Sequence, residues 1–354
     1  MSTTNQQDSN DKNPQKNEED DLVHQLQEKL DIKEDDDNDK KAAVEKKKKK
    51  TNAPDVPDCI HKAARWIEGA KNIMVLTGAG VSVSAGIPDF RTPGTGLYDN
   101  LQQYNLPYPE AVFVLDFFRH NPQPFLRLAR EIWPGQIHSP TLTHSFLSLL
   151  HHHQQQEQQE QDNDDKKKEK KNRLLRVYTQ NIDGLEYLAG IPADRIVECH
   201  GHFRTVSCID CHKPMKDPEK YVKAVLEGEG DPPSCGYCGG MAKPDIVFFG
   251  ESLPNRFHRL LNPDILKADL LLVLGTSLQV APVSMIPDQV DCKRVLINRE
   301  RVGSFDRDTK NDVFLQGDCD DTIRLLAQAL GWEEDLEKMH QSSKIKQEEG
   351  QEER

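Results

Sequence analysis

Four cysteines, Cys208, Cys211, Cys235 and Cys238, stand as two C-x-x-C pairs separated by 23 residues rich in proline, glycine and charge. That is the spacing of a zinc ribbon, in which each pair forms a knuckle on a tetrahedral metal. Four thiolates fill the coordination sphere and leave no place for water, so one Zn2+ held here would stabilise structure rather than catalyse. A second chemistry-bearing string is Gly78-Ala79-Gly80-Val81-Ser82-Val83-Ser84-Ala85-Gly86. Its glycines let backbone amides approach a pyrophosphate at a helix N-terminus, although taken alone they also suit a tight structural turn. The spacing is G-x-G-x5-G, which departs from the G-x-G-x-x-G of hydride-transfer dehydrogenases. His200 is one of thirteen histidines, of the residue type best suited to exchange a proton near neutral pH.

Such residues need rigid elements to hold them. Asp58 to Ala70 places Ile60, Ala63, Ala64 and Ile67 on one helical face, and Asn72 to Thr77 is a short apolar run that ends at the first glycine. Further runs at Leu174 to Thr179, Arg195 to Glu198, Leu270 to Gly275 and Val295 to Asn298 are apolar throughout, with helical patterns such as Ile323, Leu326 and Leu330 between or after them. Continuous rather than alternating apolarity marks a parallel sheet covered by helices on both faces. Ligands of such sheets bind beyond the carboxyl ends of the strands. The polar clusters fall there: Gly78 to Ser84, Gln180 to Asp183, His200-Gly201, Gly275 to Ser277 and Asn298 to Glu300. Five strand ends therefore converge on one crevice.

The chain has 354 residues, a net charge of −13, 36% hydrophobic and 30% charged residues, too polar for one compact domain of that length. Three segments carry the excess. Residues 1–55 alternate acidic blocks with Lys46 to Lys50 and read as a disordered charged tail; 151–171 is a low-complexity insert of His, Gln, Asp, Glu and Lys; 333–354 reads as a disordered acidic tail. The folded domain is then 56–332, with the metal module inserted at about 202–243. There is no apolar signal region at the N-terminus and no apolar stretch of membrane-spanning length, so a soluble intracellular protein is expected. The negative charge opposes direct binding of nucleic acid.

After the glycine turn come Ile87-Pro88-Asp89-Phe90-Arg91 and Gly94-Thr95-Gly96-Leu97-Tyr98, then Thr179-Gln180-Asn181-Ile182-Asp183-Gly184-Leu185, Cys199-His200-Gly201, Lys243-Pro244-Asp245-Ile246-Val247-Phe248-Phe249-Gly250-Glu251 and Gly275-Thr276-Ser277-Leu278. In this ordered set the sequence resembles the sirtuin family, and within it the class I subgroup of cytosolic tubulin and histone deacetylases. The resemblance implies an α/β fold: a Rossmann-like parallel sheet with helices on both faces, plus a small inserted zinc-ribbon and helical module. It also implies that NAD is a co-substrate: the ADP-ribosyl group passes to the acyl oxygen of a modified lysine, nicotinamide leaves, and 2′-O-acyl-ADP-ribose is the product.

By the same resemblance His200 is the general base and Asn181 orients the ribose or a water. Ile87, Asn181, Ile182 and Asp183 border the nicotinamide pocket, and Gln180 meets the ribose beside it. Ala79, Gly80, Val81, Ser82 and Val83 cradle the diphosphate, with Val83 standing where close relatives often have threonine. Phe90 shields the reacting sugar, and Asp89 with Arg91 helps fix the loop over the pyrophosphate. Gly275, Thr276 and Ser277 reach phosphate or ribose; Asn298, Arg299 and Glu300 hold the adenosine ribose; the backbone at Cys319, in Gly317-Asp318-Cys319, meets the adenine.

Val247, Phe248, Phe249, Gly250 and Glu251 form an extended segment to which a substrate peptide can add as a strand. Phe113, Phe117, Phe118 and Phe125 read as a helical core that in relatives also lines the acyl channel. The expected substrates are acetylated lysines of proteins, with histone tails and tubulin as family examples. Mono-ADP-ribosyl transfer, long-chain deacylation and, remotely, NAD sensing without catalysis stay open as alternatives. Leu22, Leu26, Leu30 and Ile32 resemble an export signal and point to the cytoplasm, while Lys46 to Lys50 suits either nuclear import or a solvated tail.

Overall fold

The computed structural model describes residues 56–90, 92, 94–97, 101, 106–133, 138–161, 174–228, 232–305 and 310–352, with only the backbone at 153–161 and 344–352. The predicted tail 1–55, Arg91 and the insert beyond Gln161 lie outside the described residues.

From the N-terminal side the elements are α1 (Asp58–Gly69), β1 (Ile73–Thr77), 3-10 turns at Ala79–Val81, Val83–Ala85 and Pro109–Phe113, α2 (Leu115–His120), α3 (Gln123–Ile132), α4 (Leu142–Gln161), β2 (Leu174–Thr179), α5 (Leu185–Leu188) and β3 (Ile196–Glu198). Then follow β4 (Gly201–Cys208), α6 (Pro218–Glu227), β5 (Ala242–Ile246), α7 (Asn255–Lys267), β6 (Leu270–Leu274), β7 (Lys293–Asn298), β8 (Asp312–Gln316), α8 (Cys319–Leu330) and α9 (Glu333–Glu352).

Six strands form one parallel sheet in the order β3-β2-β1-β6-β7-β8. Every residue of β1 and β6 is buried, which their unbroken apolar sequence requires, since helices cover both faces. Ile60, Ala63, Ala64 and Ile67 of α1 pack with Ile323, Leu326 and Leu330 of α8 on one face, while Phe257 and Leu261 of α7 cover the other with Met74, Leu76 and Tyr178. The strand order reverses between β1 and β6, so their following loops splay apart there and open the crevice.

A second core gathers Phe118, Phe125, Leu128, Phe203, Tyr221, Val225 and Phe248, drawn from α2, α3, β4, α6 and the segment after β5. The predicted helical module and metal module thus share one small lobe, whose antiparallel ribbon β4–β5 is its only sheet among the described residues. The α6 helix begins where the Asp217 carboxylate accepts the Lys220 amide at 3.0 Å with Pro218 at the first helical position, and it ends at left-handed Gly228.

Two segments differ from the sequence expectation. The low-complexity insert expected at 151–171 is helical in its first half, as the helix α4 that starts at Leu142 runs on to Gln161. The predicted disordered tail 333–354 is helical to Glu352 and packs along α4. Trp332, Leu336, Met339 and Ser343 recur at helical spacing and turn inward, Leu336 being 3% exposed. Acidic composition hid that stripe, because four inward positions suffice to dock a helix whose other faces are charged.

Candidate active site and metal centre

The loops after β1 and β6 touch. A Cβ on Gly78 would lie 2.6 Å from Thr276 Cβ, one on Gly80 2.7 Å from Gly275 Cα, and one on Gly275 2.6 Å from the Val81 amide. Gly80 N–H donates to the Gly275 carbonyl at 2.8 Å. Only glycines allow this approach, and it floors a cavity of about 590 Å3 at the carboxyl edge of the sheet, within the size range of cofactor sites.

Of the predicted cofactor residues, Ala79, Gly80, Val83, Asp89 and Phe90 line this cavity from the β1 side, and Gln180, Asn181 and Ile182 from the β2 side. Gly275, Thr276 and Ser277 follow β6, Asn298, Arg299 and Glu300 follow β7, and Cys319 opens α8. Gln180 Nε2 donates to Thr276 Oγ1 at 2.9 Å, tying the ends of β2 and β6 across β1. Asn298 Nδ2 donates to the Glu300 carbonyl at 2.8 Å, and Arg299 pairs with Asp318. Both Asp89 oxygens accept from Thr92, from its amide at 2.7 Å and its hydroxyl at 2.5 Å, closing the loop that presents Phe90.

Among the described residues, four predicted contacts do not line the cavity. Val81 is buried in the main core, and Ile87 is half-buried outside the lining. Ser82 and Asp183 lie one layer deeper: the Ser82 hydroxyl donates to Asp183 Oδ2 at 2.7 Å and accepts Asn181 Nδ2 at 3.1 Å. They act on the cavity through Asn181. Conversely Gln279, Val280 and Ala281 line it unpredicted. Their only signal was their position directly after Gly275-Thr276-Ser277-Leu278.

His200 sits where β3 gives way to β4. Its Nδ1 lies 2.9 Å from the Gln180 carbonyl, which only accepts, so Nδ1 is the protonated nitrogen and Nε2 keeps its lone pair. Nε2 is buried without a hydrogen-bond partner among the described residues, in a residue that lines the cavity. Burial lowers the His200 pKa, opposed by the Gln180 carbonyl. Burial therefore favours the neutral ring. Gly201 must follow it, because at φ +80° any Cβ would meet the Asp245 carbonyl at 2.0 Å.

The predicted peptide segment Val247–Glu251 forms the opposite wall. Val247 N–H donates to the His200 carbonyl at 2.8 Å and Phe249 N–H to the Phe113 carbonyl at 2.7 Å. The Glu251 carboxylate faces inward along its own segment, accepting the Phe248 amide at 2.8 Å and pairing with buried Lys243 at 3.0 Å. Beneath lies an edge-to-face aromatic cluster: Phe113 is 6.0 Å from both Phe90 and Phe248, and Phe125 is 4.9 Å from Phe248. Phe113 also lines the cavity, so the aromatic set is at once core and channel wall.

The four ribbon cysteines converge, all Sγ atoms within 4.8 Å of one another, Cys208 to Cys238 at 3.5 Å and Cys211 to Cys235 at 3.7 Å. Tetrahedral Zn–S bonds of about 2.3 Å imply sulfur separations of about 3.8 Å, so the donor set fits zinc. Amides of Asp210 and Tyr237 point at Cys208 and Cys235 Sγ at 3.4 and 3.5 Å, as knuckles around thiolates require.

Comparison with known proteins agrees with this geometry. The Sir2 family model matches residues 78–166 and 165–282. The NAD-dependent protein deacetylase hst2 of Schizosaccharomyces pombe is 46% identical over 276 residues, covering 77% of this chain and 76% of that protein. NAD-dependent protein deacetylase sirtuin-2 of Danio rerio is 42% identical over 302 residues, 79% of this chain and 74% of its own. Sirtuin-3 of Mus musculus, named likewise, is 45% identical over 267 residues, 75% and 73%.

Proposed function

Since the chain belongs to the Sir2 family, we propose that it is an NAD-dependent protein lysine deacetylase in which His200 is the general base and Asn181 orients the reacting groups. The observation that carries this reading is the buried, unpartnered lone pair of His200 Nε2 in a glycine-floored cavity.

When bound, NAD supplies the ADP-ribosyl group that the acyl oxygen of acetyl-lysine takes up as nicotinamide leaves. His200 receives a proton at Nε2 from a ribose hydroxyl, and its Nδ1–H bond to the Gln180 carbonyl holds the ring in the required tautomer. Asn181, with both Nδ2 hydrogens given to Gly78 O and Ser82 Oγ at 3.1 Å each, turns its Oδ1 to the reacting groups. Phe90 and Phe113 keep water from them. Gly78 and Gly80 admit the diphosphate, and Asn298 and Glu300 take the distal ribose.

A peptide strand lies along Val247 to Glu251. The N–H groups of Val247, Phe248 and Phe249 are spent inside the protein, so the peptide uses the main-chain groups these bonds leave over, and recognition tolerates many sequences. Histone tails and tubulin are the first substrates to test. Among the described residues no helix is long and apolar enough to cross a membrane; the family likeness supports a cytoplasmic site of action, with nuclear entry through Lys46 to Lys50 as its variant.

The test is mass spectrometry of an acetyl-lysine peptide with zinc-loaded protein and NAD. Deacetylated peptide, nicotinamide and 2′-O-acetyl-ADP-ribose are expected in equal amounts, falling about 10²–10⁴-fold in His200→Ala. Nicotinamide release without deacetylation would move the reading to ADP-ribosyl transfer.

A further inference from the structure

Behind the wall that carries Asn181 lies a second group of ionisable side chains. His144 of α4, Asp183 and Glu186 are 0%, 7% and 1% exposed, and a ring nitrogen and one oxygen of each carboxyl lie within 4.8 Å of one another. His144 Nδ1 is 2.7 Å from the Thr141 hydroxyl, which itself donates to the Val81 carbonyl at 2.9 Å. A carbonyl only accepts, so the hydroxyl proton is committed and Nδ1 donates in the shorter contact. The Thr141 amide, at 3.3 Å, would need the opposite tautomer and is the longer contact. The neutral ring therefore keeps its lone pair at Nε2, which is buried without a partner among the described residues. Two carboxylates and a lone pair buried this close repel one another; one proton relieves the conflict and leaves a net charge of about −1 whichever atom holds it.

The position of that proton reaches the cavity. An ionised Asp183 accepts the Ser82 hydroxyl at 2.7 Å and the Leu185 amide at 3.0 Å. Ser82, its proton given away, offers Asn181 only a lone pair, which selects Nδ2 rather than Oδ1. A protonated Asp183 would donate to Ser82 instead, turning the hydroxyl proton against Asn181 Nδ2 and leaving the Gly78 carbonyl, at 3.1 Å, as the remaining acceptor that holds the side-chain amide. Glu186 accepts from Thr77 Oγ1 at 3.2 Å and from Thr179, and Thr179 Oγ1 accepts the backbone N–H of Asn181 at 3.1 Å. We propose that His144 and Glu186 are positioning residues: one or the other keeps the buried proton, so that Asp183 stays an acceptor and Ser82 joins the Gly78 carbonyl in holding the Asn181 side-chain amide with Oδ1 toward the reacting groups. This rests on the role of Asn181 given above.

Burial pushes both carboxyls up and His144 down, so the charged form of each is disfavoured where they lie. Asp320 of α8 and Asp183 oppose the shift of His144, His340 of α9 adds to it, and Glu198 of β3 adds to that of Glu186. Glu186→Gln reproduces the neutral acid and leaves Asp183 as the sole carboxyl of the three.

The experiment follows deacetylation kinetics against pH in full-length, zinc-loaded protein. Glu186→Gln should stay within about threefold of the parent kcat, whereas Glu186→Leu, which removes the bond to Thr179, should fall at least about tenfold. His144→Leu, or His144→Asn if the first does not fold, should lower kcat about tenfold with peptide KM unchanged and move the acid limb to higher pH, since Asp183 then competes for the proton. A tenfold loss in Glu186→Gln, an unmoved acid limb in the histidine variant, or a second equivalent of divalent metal on elemental analysis would each overturn the proposal. Asn181→Ala separates the two readings: if it retains parent activity, the role of Asn181 itself fails; if it is inactive while the other variants miss their expectations, only the buried proton does.

Discussion

In the six-stranded sheet β1 and β6 are buried at every position, and each pairs on both sides along an unbroken or nearly unbroken ladder. The β4–β5 ribbon of the small lobe has two strands, a pairing interrupted between Gly201 and Val206, and several half-exposed positions. A two-stranded ribbon is marginal by itself, and here the thiolate cluster at one end and the aromatic cluster at the other support it. On the reading proposed above, cofactor-facing residues hang on the first kind of structure and peptide-facing residues on the second. The partner that must always fit the same way would then meet a rigid edge, and the partner that varies a wall held by the cysteine cluster and packing. His200 sits where the two join.

Chelation of zinc, or Cys235→Ser, should break this comparison most severely. Structural zinc contributes about 10–16 kcal/mol in small modules, so deacetylation should vanish and the ribbon become protease-sensitive while far-UV circular dichroism keeps the helix signal of the sheet lobe. Simultaneous loss of both lobes would show that they fold as one unit. Gly201→Ala strikes the joint: with its Cβ 2.0 Å from the Asp245 carbonyl, β4 must move off β5 and carry His200 with it, and kcat/KM should drop about 100-fold with zinc content unchanged.

The lowered pKa of His200 sharpens the comparison from the rigid side. A base with a depressed pKa stays unprotonated to lower pH, so the acid limb of kcat/KM should lie below the usual imidazole value of about 6.5; a limb above it would mean that the ring is charged in the free protein. The smallest effect belongs to α9. Leu336→Ala removes a buried side chain worth about 1.5–3 kcal/mol far from the cavity, so thermal unfolding should come several degrees earlier while kcat at low temperature is kept.

The sheet and its five polar strand ends were legible because continuous apolar runs and the glycines that terminate them are local signals. The metal site was legible for the same reason: two knuckles need only short spacing. Depth was not. Nothing in Gly78 to Gly86 says that Val83 faces the cavity while Val81 and Ser82 turn into the core, since the alternating 3-10 turns follow no single period. Asp183 reads as a pocket residue by its place in Gln180 to Asp183, yet it reaches the cavity only through Ser82 and Asn181. The α9 stripe was present but outvoted by charge, and Gln279 to Ala281 carry no chemistry that sequence alone would single out.

The helix α4 continues into the Gln-rich insert to Gln161, and the chain re-enters the sheet at Leu174, the first residue of β2. Because all six strands run the same way, that point of re-entry belongs to the edge opposite the cavity, about 20 Å away along a six-residue strand. A change in the length of the stretch between α4 and β2 is therefore expected to leave the walls of the cavity in place.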